Sequence, residues 1–299
     1  MVFSKRARRG RDVPATGSAT GSATGSAAGS AAGSVAGSPV EPPEVPASGS
    51  TAGPVGRRRA PRGSGLATSW PVLLLRSAHP RQGLLVALGV AVAAALAGRP
   101  VREVGLVLAT VLVGQTVLGW HNDLVDRGRD RRHQAAGKPV ADGLLDPGTV
   151  SFSLVCAVLL VVPLAVSNGV TAGSAYLISV VVGLLGNVVL RKGLFSWVTW
   201  AVSFALLPAF LSYGGWGGDA AGAPPEIVMT VLAALLGVGV HALSSVRGLV
   251  ADNEDGWRTL PLRVALRTGA ARLLVISLAW TAVVVAAMLV TGSQVGLEQ

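Results

Sequence analysis

The chain has 299 residues, 51% of them hydrophobic and only 13% charged, roughly half the charge of a soluble domain. In a soluble protein its formal net charge of +10 would raise nucleic-acid binding first. With this apolar content the basic residues have a simpler explanation as topology signals beside membrane spans, and no nucleic-acid partner is expected. The one cysteine, Cys156 within SLVCAVLLVV, excludes an intramolecular disulfide and reads as a small lipid- or helix-facing side chain.

Residues 1–69 are a different material. From Gly17 to Ser38 the chain repeats GSAT GSAT GSAA GSAA GSVA GS, then runs through SPVEPPEVPAS to a basic GRRRAPRG. Such text has too little apolar surface to offset its ordering entropy, so a disordered Gly/Ser/Ala/Pro-rich tail is expected. Its basic start, MVFSKRARRGRD, has no hydrophobic core behind it and fails as a secretory signal.

Residues 70–299 form the second expected unit, an all-α polytopic transmembrane bundle. A spanning helix needs about 20 mostly apolar residues. Seven segments are candidates: Gly83–Gly98, Val104–Trp120, Val150–Ser167, Thr171–Leu190, Leu194–Tyr213, Ile227–Ser245 and Arg272–Val290. Basic residues divide unevenly between the connections. One side carries Arg57–Arg59, Arg62, Arg76 and Arg81, then Arg127, Arg129, Arg131, Arg132 and Lys138. It carries Arg191 and Lys192 next, and Arg247, Arg258, Arg263 and Arg267 last. The other side has only Arg99 and Arg102. This bias predicts a multi-pass protein of the plasma (inner) membrane with its N-terminus and both aspartate-rich loops in the cytoplasm.

Those acid-rich segments each follow a span on the same side. The first is HNDLVDRGRD, in which Asp123, Asp126 and Asp130 stand at i, i+3 and i+7. On a helix that spacing aligns three carboxylates along one face, where they repel each other unless a cation intervenes. The second is Arg247-Gly-Leu-Val-Ala-Asp252-Asn-Glu-Asp255-Gly-Trp-Arg-Thr-Leu-Pro. Carboxylates facing a shared cavity are hard ligands suited to Mg2+, which is held by one or two carboxylates, waters and substrate phosphates. Nearby Arg and Lys side chains suit phosphate oxygens. Acids for metal and bases for phosphate at a membrane surface point to a lipid diphosphate substrate.

On these residues the sequence resembles the UbiA-type intramembrane prenyltransferases. Their first signature, N-D-x-x-D-x-x-x-D, is matched by Asn122, Asp123, Asp126 and Asp130, and the basic-Pro pair that follows by Lys138-Pro139. The basic end of the fourth helix is matched by Arg191 and Lys192 in GNVVLRKG. The second motif is matched by Asp252, Gly256 and Thr259-Leu260-Pro261. That motif commonly reads D-x-x-x-D, and its leading position here is Gly248, so Glu254 or Asp255 would supply the missing charge. The family has nine helices where seven are counted here. The resemblance covers roughly residues 77–299.

The resemblance implies Mg2+-dependent transfer of a prenyl group from a polyprenyl diphosphate to an acceptor, usually an aromatic ring. It implies catalytic and metal roles for Asp123, Asp126 and Asp130, metal roles for Asn122, Asp252 and Asp255, and diphosphate contacts for Lys138, Arg191, Lys192 and Arg247. Phosphoribosyl transfer to a lipid phosphate, prenyl cyclisation, and a non-catalytic binding or scaffold protein on the same fold are the alternatives. His121, His133 and His241 match no zinc spacing, and His241 reads as a polar cavity residue. Asn187 reads as a helix–helix hydrogen bond. Trp120, Trp197, Trp200 and Trp257 read as interfacial anchors.

Overall fold

The computed structural model describes residues 69–215 and 222–295, so the expected N-terminal tail lies outside the described residues. Within them the chain forms eleven α-helices and no strand. These are α1 (Trp70–Ser77), α2 (Pro80–Leu96), α3 (Val101–Arg132), α4 (Pro147–Ser167), α5 (Val170–Gly186), α6 (Ser196–Ala205) and α7 (Leu207–Ser212). Then follow α8 (Ile227–Ser245), α9 (Leu249–Glu254), α10 (Leu260–Thr268) and α11 (Ala270–Val295).

Local chemistry sets the helix starts. Proline stands in the first turn of α1, α2, α4, α7 and α10, where its missing N–H breaks no intrahelical bond. Asp146 caps α4 by accepting from Thr149 N at 2.8 Å, and Thr259 caps α10 through Leu262 N.

All seven expected apolar segments are helical, with three differences. Trp120 is not a helix end: α3 runs on to Arg132, so the first acidic cluster is helical and not a loop. Thr171–Leu190 stops being α-helical at Gly186, and the next turns carry Arg191 into the site. Leu194–Tyr213 divides at Leu206, because Pro208 withholds an N–H from the ladder and crowds the preceding turn. By length and composition α3, α4, α11 and the segment Ile227–Glu254 each suffice to cross a membrane. The pair α1 and α2, bent by 60°, counts as a fifth if it is one span, while Val170–Gly186 and Ser196–Ser212 are shorter apolar helices.

Neighbours in sequence pack as neighbours in space: α3 lies between α2 and α4, α5 touches α4, α6 and α7, and α8 packs against α6 and α11. The main core gathers Val107, Val111 and Val117 of α3 with Val161, Ala172, Tyr176 and Phe210. Tyr176 and Phe210 tilt together at 4.9 Å between ring centroids. Large apolar side chains point outward along the long helices, including Leu85, Phe152, Leu159, Val275 and Val283. An apolar exterior on this scale is the surface of an integral membrane protein.

Two glycines fix the approach of helices that frame the site. A Cβ on Gly119 would collide with the backbone of Ala78, so only glycine lets the α1–α2 corner sit against α3 one turn before Asp123. A Cβ on Gly237 would strike the carbonyl of Trp200, so glycine also sets the contact of α8 with α6.

Candidate active site

The last three turns of α3 carry the first acidic cluster. Asp123, Asp126 and Asp130 are all buried, Asp123 to 1% exposure. Two cations from other parts of the chain serve them, Lys138 shared by Asp123 and Asp130 and Arg191 on Asp126. Lys138 Nζ donates to Asp123 Oδ1 at 2.9 Å and stands 3.3 Å from Asp130 Oδ2. Arg191 pairs with Asp126 and donates to the carbonyl of Asn187 at 3.0 Å. Asn122 Nδ2 donates to the other Asp126 oxygen at 3.0 Å.

His79 completes this group from the bend between α1 and α2. Its Nε2 lies 3.4 Å from Asp123 Oδ1 and 3.2 Å from Lys138 Nζ. Its backbone is left-handed, with φ of 53°, a conformation unusual for a non-glycine residue and doubly so before proline. That geometry turns the chain sharply enough to bring the imidazole to Asp123. Sequence reasoning missed His79, and the only signals for it are the His-Pro step and Gly119.

The second acidic cluster sits on α9 and its C-terminal cap. Asp252 is 7% exposed. Arg129, projecting from α3, donates through Nη2 to Asp252 Oδ1 at 2.6 Å and through Nε to Asp255 Oδ2 at 2.5 Å. The other Asp255 oxygen lies 2.9 Å from His133 Nε2, and His133 Nδ1 is 3.1 Å from Glu254. These contacts hold the Asp255 carboxyl well below its ordinary range, at about 2, through hydrogen bonds from Arg129 first and His133 second. The Arg129 guanidinium lies 4.0 Å from the Trp257 ring centroid and that of Arg191 lies 4.9 Å from it. Trp257 therefore serves two cations, one from each acidic cluster, where an interfacial anchor was expected.

One acid of each cluster, Asp126 and Asp252, lines a cavity of about 210 Å³, while Asp123, Asp130 and Asp255 stand behind its lining. Asn122, Arg129, Arg191 and Trp257 line it beside those acids, together with Asn187, Ser196, Trp200 and His241. His241 matches its expected place as a polar cavity residue; its Nε2 is 3.0 Å from Ser196 Oγ. Asn187 makes the expected helix–helix bonds, to the carbonyl of Leu118 at 3.3 Å and to His121 Nδ1 at 3.2 Å. A larger groove between α8 and α11, lined by Leu232, Ile276, Trp280 and Val283, is apolar and remote from these acids.

The expected site residues do not all converge. Lys138 and Arg191 reach the first cluster. Lys192 and Arg247 are exposed; Lys192 enters only through its carbonyl, which accepts from Arg258 N at 2.8 Å. Asp252 and Asp255, expected as metal ligands, are instead engaged by Arg129 and His133.

Among the described residues no group of three or more His, Cys, Asp or Glu side chains meets as a self-sufficient metal cage. Of the first cluster's oxygens, Asp123 Oδ2 is nevertheless buried without a hydrogen-bond partner, and Asp130 Oδ2, also buried, makes no hydrogen bond but has the Lys138 ammonium 3.3 Å away. Orphaned carboxylate oxygens are costly unless something positive is to be placed there. Hard oxygens, few in number and beside basic side chains, fit Mg2+ held jointly with phosphates.

The chain resembles solved structures of a UbiA homologue from Archaeoglobus fulgidus. With the form bound to GPP and Mg2+ it shares 18% identity and a TM-score of 0.56, over 72% of this chain and 75% of that one. With the form bound to DMAPP and Mg2+ the values are 18% and 0.55, over 73% and 78%. This chain has the UbiA fold. A structure of digeranylgeranylglyceryl phosphate synthase in membranes is also similar, at 15% identity and a TM-score of 0.51, over 70% and 75%. The sequence matches no family model and no curated protein. On the UbiA fold of this chain, the two acidic clusters and the cavity between them lie at one end of the α3 and α8 helices.

Proposed function

We propose that this chain is an intramembrane prenyltransferase that takes a prenyl group from a polyprenyl diphosphate and delivers it to a small acceptor. The observation that carries the reading is the meeting of the Asp126–Arg191 and Asp252–Arg129 pairs, one from each acidic cluster, at one cavity. Support comes from the fold, since similar solved structures hold GPP or DMAPP with Mg2+. The excess of basic residues at this end of the molecule supports a cytoplasmic orientation for the site.

In this reading Asp123, Asp126 and Asp130 hold Mg2+, with Asn122 fixing the Asp126 carboxylate. When bound, the metal supplies charge that neutralises the leaving diphosphate and so lowers the barrier to breaking the allylic C–O bond. Arg191 and Lys138 already stand against these acids, and their unused donors bind phosphate oxygens as the headgroup enters. Arg129 and Trp257 close the opposite side of the mouth. Lys192 and Arg247, exposed at the rim, attract the diphosphate without being fixed on it. The allylic C–O bond breaks with its electron pair leaving on the diphosphate, and the acceptor forms its new bond to the allylic carbon with loss of a proton. An aromatic acceptor is the expected class, because an electron-rich ring captures an allylic cation through carbon.

Turnover by purified protein with Mg2+, a panel of prenyl diphosphates and a panel of aromatic acceptors tests this. Phosphoribosyl transfer or cyclisation would instead show in the products of labelled donor. No turnover, together with no Mg2+-dependent binding of any prenyl diphosphate, would leave the scaffold reading. Turnover unaffected by Asp123→Asn and by Asp126→Asn would refute the site assignment alone.

A further inference from the structure

The second acidic cluster already holds a cation, and the first motif supplies it. Arg129 lies in sequence between Asp126 and Asp130, yet its fork grips Asp252 at 2.6 Å and Asp255 at 2.5 Å. Its planar face rests on Trp257, and its side chain is only 16% exposed. A guanidinium never deprotonates in this setting, and two parallel N–H donors match carboxylates as a fixed positive charge.

Three further observations set this cluster apart from the first. Both Asp255 oxygens and one Asp252 oxygen face a nitrogen of Arg129 or His133. Among the described residues the buried carboxylate oxygens without a hydrogen bond belong to Asp123 and Asp130, and none to this cluster. The position where a further carboxylate would complete the cluster is Gly248, and a Cβ there would lie 3.6 Å from Asp252 Oδ1. The backbone of Gly248, at φ −98° and ψ −2°, would accept a side chain without strain. A carboxylate is thus missing at a place that could hold one, and an arginine stands against the acids that remain.

Resting on the prenyl diphosphate reading above, we propose that Arg129 takes the place of a divalent cation, so that this site binds a prenyl diphosphate with one Mg2+, held by the first motif. Two of the five guanidinium donors are spent on Asp252 and Asp255. The side chain also lines the cavity, where its other donors meet the phosphate oxygens. Arg129 therefore acts as both the neutralising charge of the second cluster and a fixed phosphate ligand.

Counting bound Mn2+ by electron paramagnetic resonance tests this without turnover. The probe is the full chain in detergent with Mn2+ and the unreactive thiolodiphosphate analogues of dimethylallyl, geranyl, farnesyl and geranylgeranyl donors. The expected count is one Mn2+ per chain, lost in Asp123→Asn and still one in Asp252→Asn. The double variant Arg129→Met with Gly248→Asp is expected to bind two. Two Mn2+ in the unaltered chain, or loss of one on Asp252→Asn, overturns the role of Arg129 and leaves the prenyl diphosphate reading intact. No Mn2+ bound with any analogue overturns that underlying reading. If the double variant fails to fold, as a changed melting transition would show, the counts for the unaltered chain and Asp252→Asn still decide.

Discussion

The two acidic clusters each contribute one acid to the same cavity, Asp126 and Asp252, but are neutralised in different ways. In the first, three carboxylates on one helix draw partners from three other segments: Lys138 on Asp123 and Asp130, His79 on Asp123, and Arg191 on Asp126. It keeps two buried oxygens without a hydrogen bond. In the second, one residue of α3 spans two carboxylates and a histidine meets the other Asp255 oxygen. The first cluster keeps a buried oxygen, Asp123 Oδ2, with no hydrogen-bond partner; the second is a clasp that ties α9 to α3. Acidic residues count toward a metal site only after their resident cations are subtracted.

The largest expected effect comes from testing that asymmetry directly. Asp123→Asn removes one charge from the cluster with spare oxygens and should cut kcat/KM by about 10²–10³-fold, the scale of losing one preorganised electrostatic contact. Asp255→Asn, in the closed clasp, should cost about tenfold or less by the loss of one exposed-side hydrogen bond to a charged group. Steady-state kinetics on both variants checks the ordering, and equal losses would erase the distinction between the clusters.

Lys138→Met sharpens the comparison from the stability side. It leaves Asp123, 1% exposed, without its nearest cation. An unpaired buried charge should lower unfolding stability by about 2 kcal/mol, part of which added Mg2+ recovers. Thermal melts in detergent with and without Mg2+ and diphosphate measure both. A variant as stable as the unaltered chain would show that Asp123 is not held as a buried anion. Trp257→Ala is smaller again. It removes the ring beneath Arg129 and Arg191, worth about 1 kcal/mol, and should weaken diphosphate binding by about fivefold.

The first cluster was legible because its spacing, i, i+3 and i+7, is itself helix geometry, and because N-D-x-x-D-x-x-x-D is a motif with little chance of accident. The convergence with Asp252 followed from placing both segments after spans on one side. What could not be read was the partner of each acid. Arg127, Arg129, Arg131 and Arg132 are equivalent in sequence, and only the continuation of α3 past Trp120 decides which of them reaches Asp252. Arg131 turns elsewhere, donating to the carbonyl of Ala141 at 3.1 Å. His79 was invisible for a related reason, since its role depends on a 60° bend and on a backbone collision that Gly119 avoids. Lys192 and Arg247 were drawn in by their neighbours in sequence, and the turns that carry them leave both side chains outside the cavity lining.

The smallest expected effect concerns acid and the pH at which the Asp255 side of the clasp is lost. The Asp255 carboxyl sits at about 2 in the folded chain against an ordinary 3.8. A depressed folded value means that ionised Asp255 stabilises the fold, fully so above the unfolded value. That contribution falls away between pH 3.8 and about 2 as the unfolded chain, and then the folded one, takes up its proton. The difference in melting temperature between the unaltered chain and Asp255→Asn should therefore be constant from neutral pH down to about 5 and shrink below 4. A difference that stays constant down to about pH 3 would show that Arg129 and His133 do not hold Asp255 ionised in the folded chain.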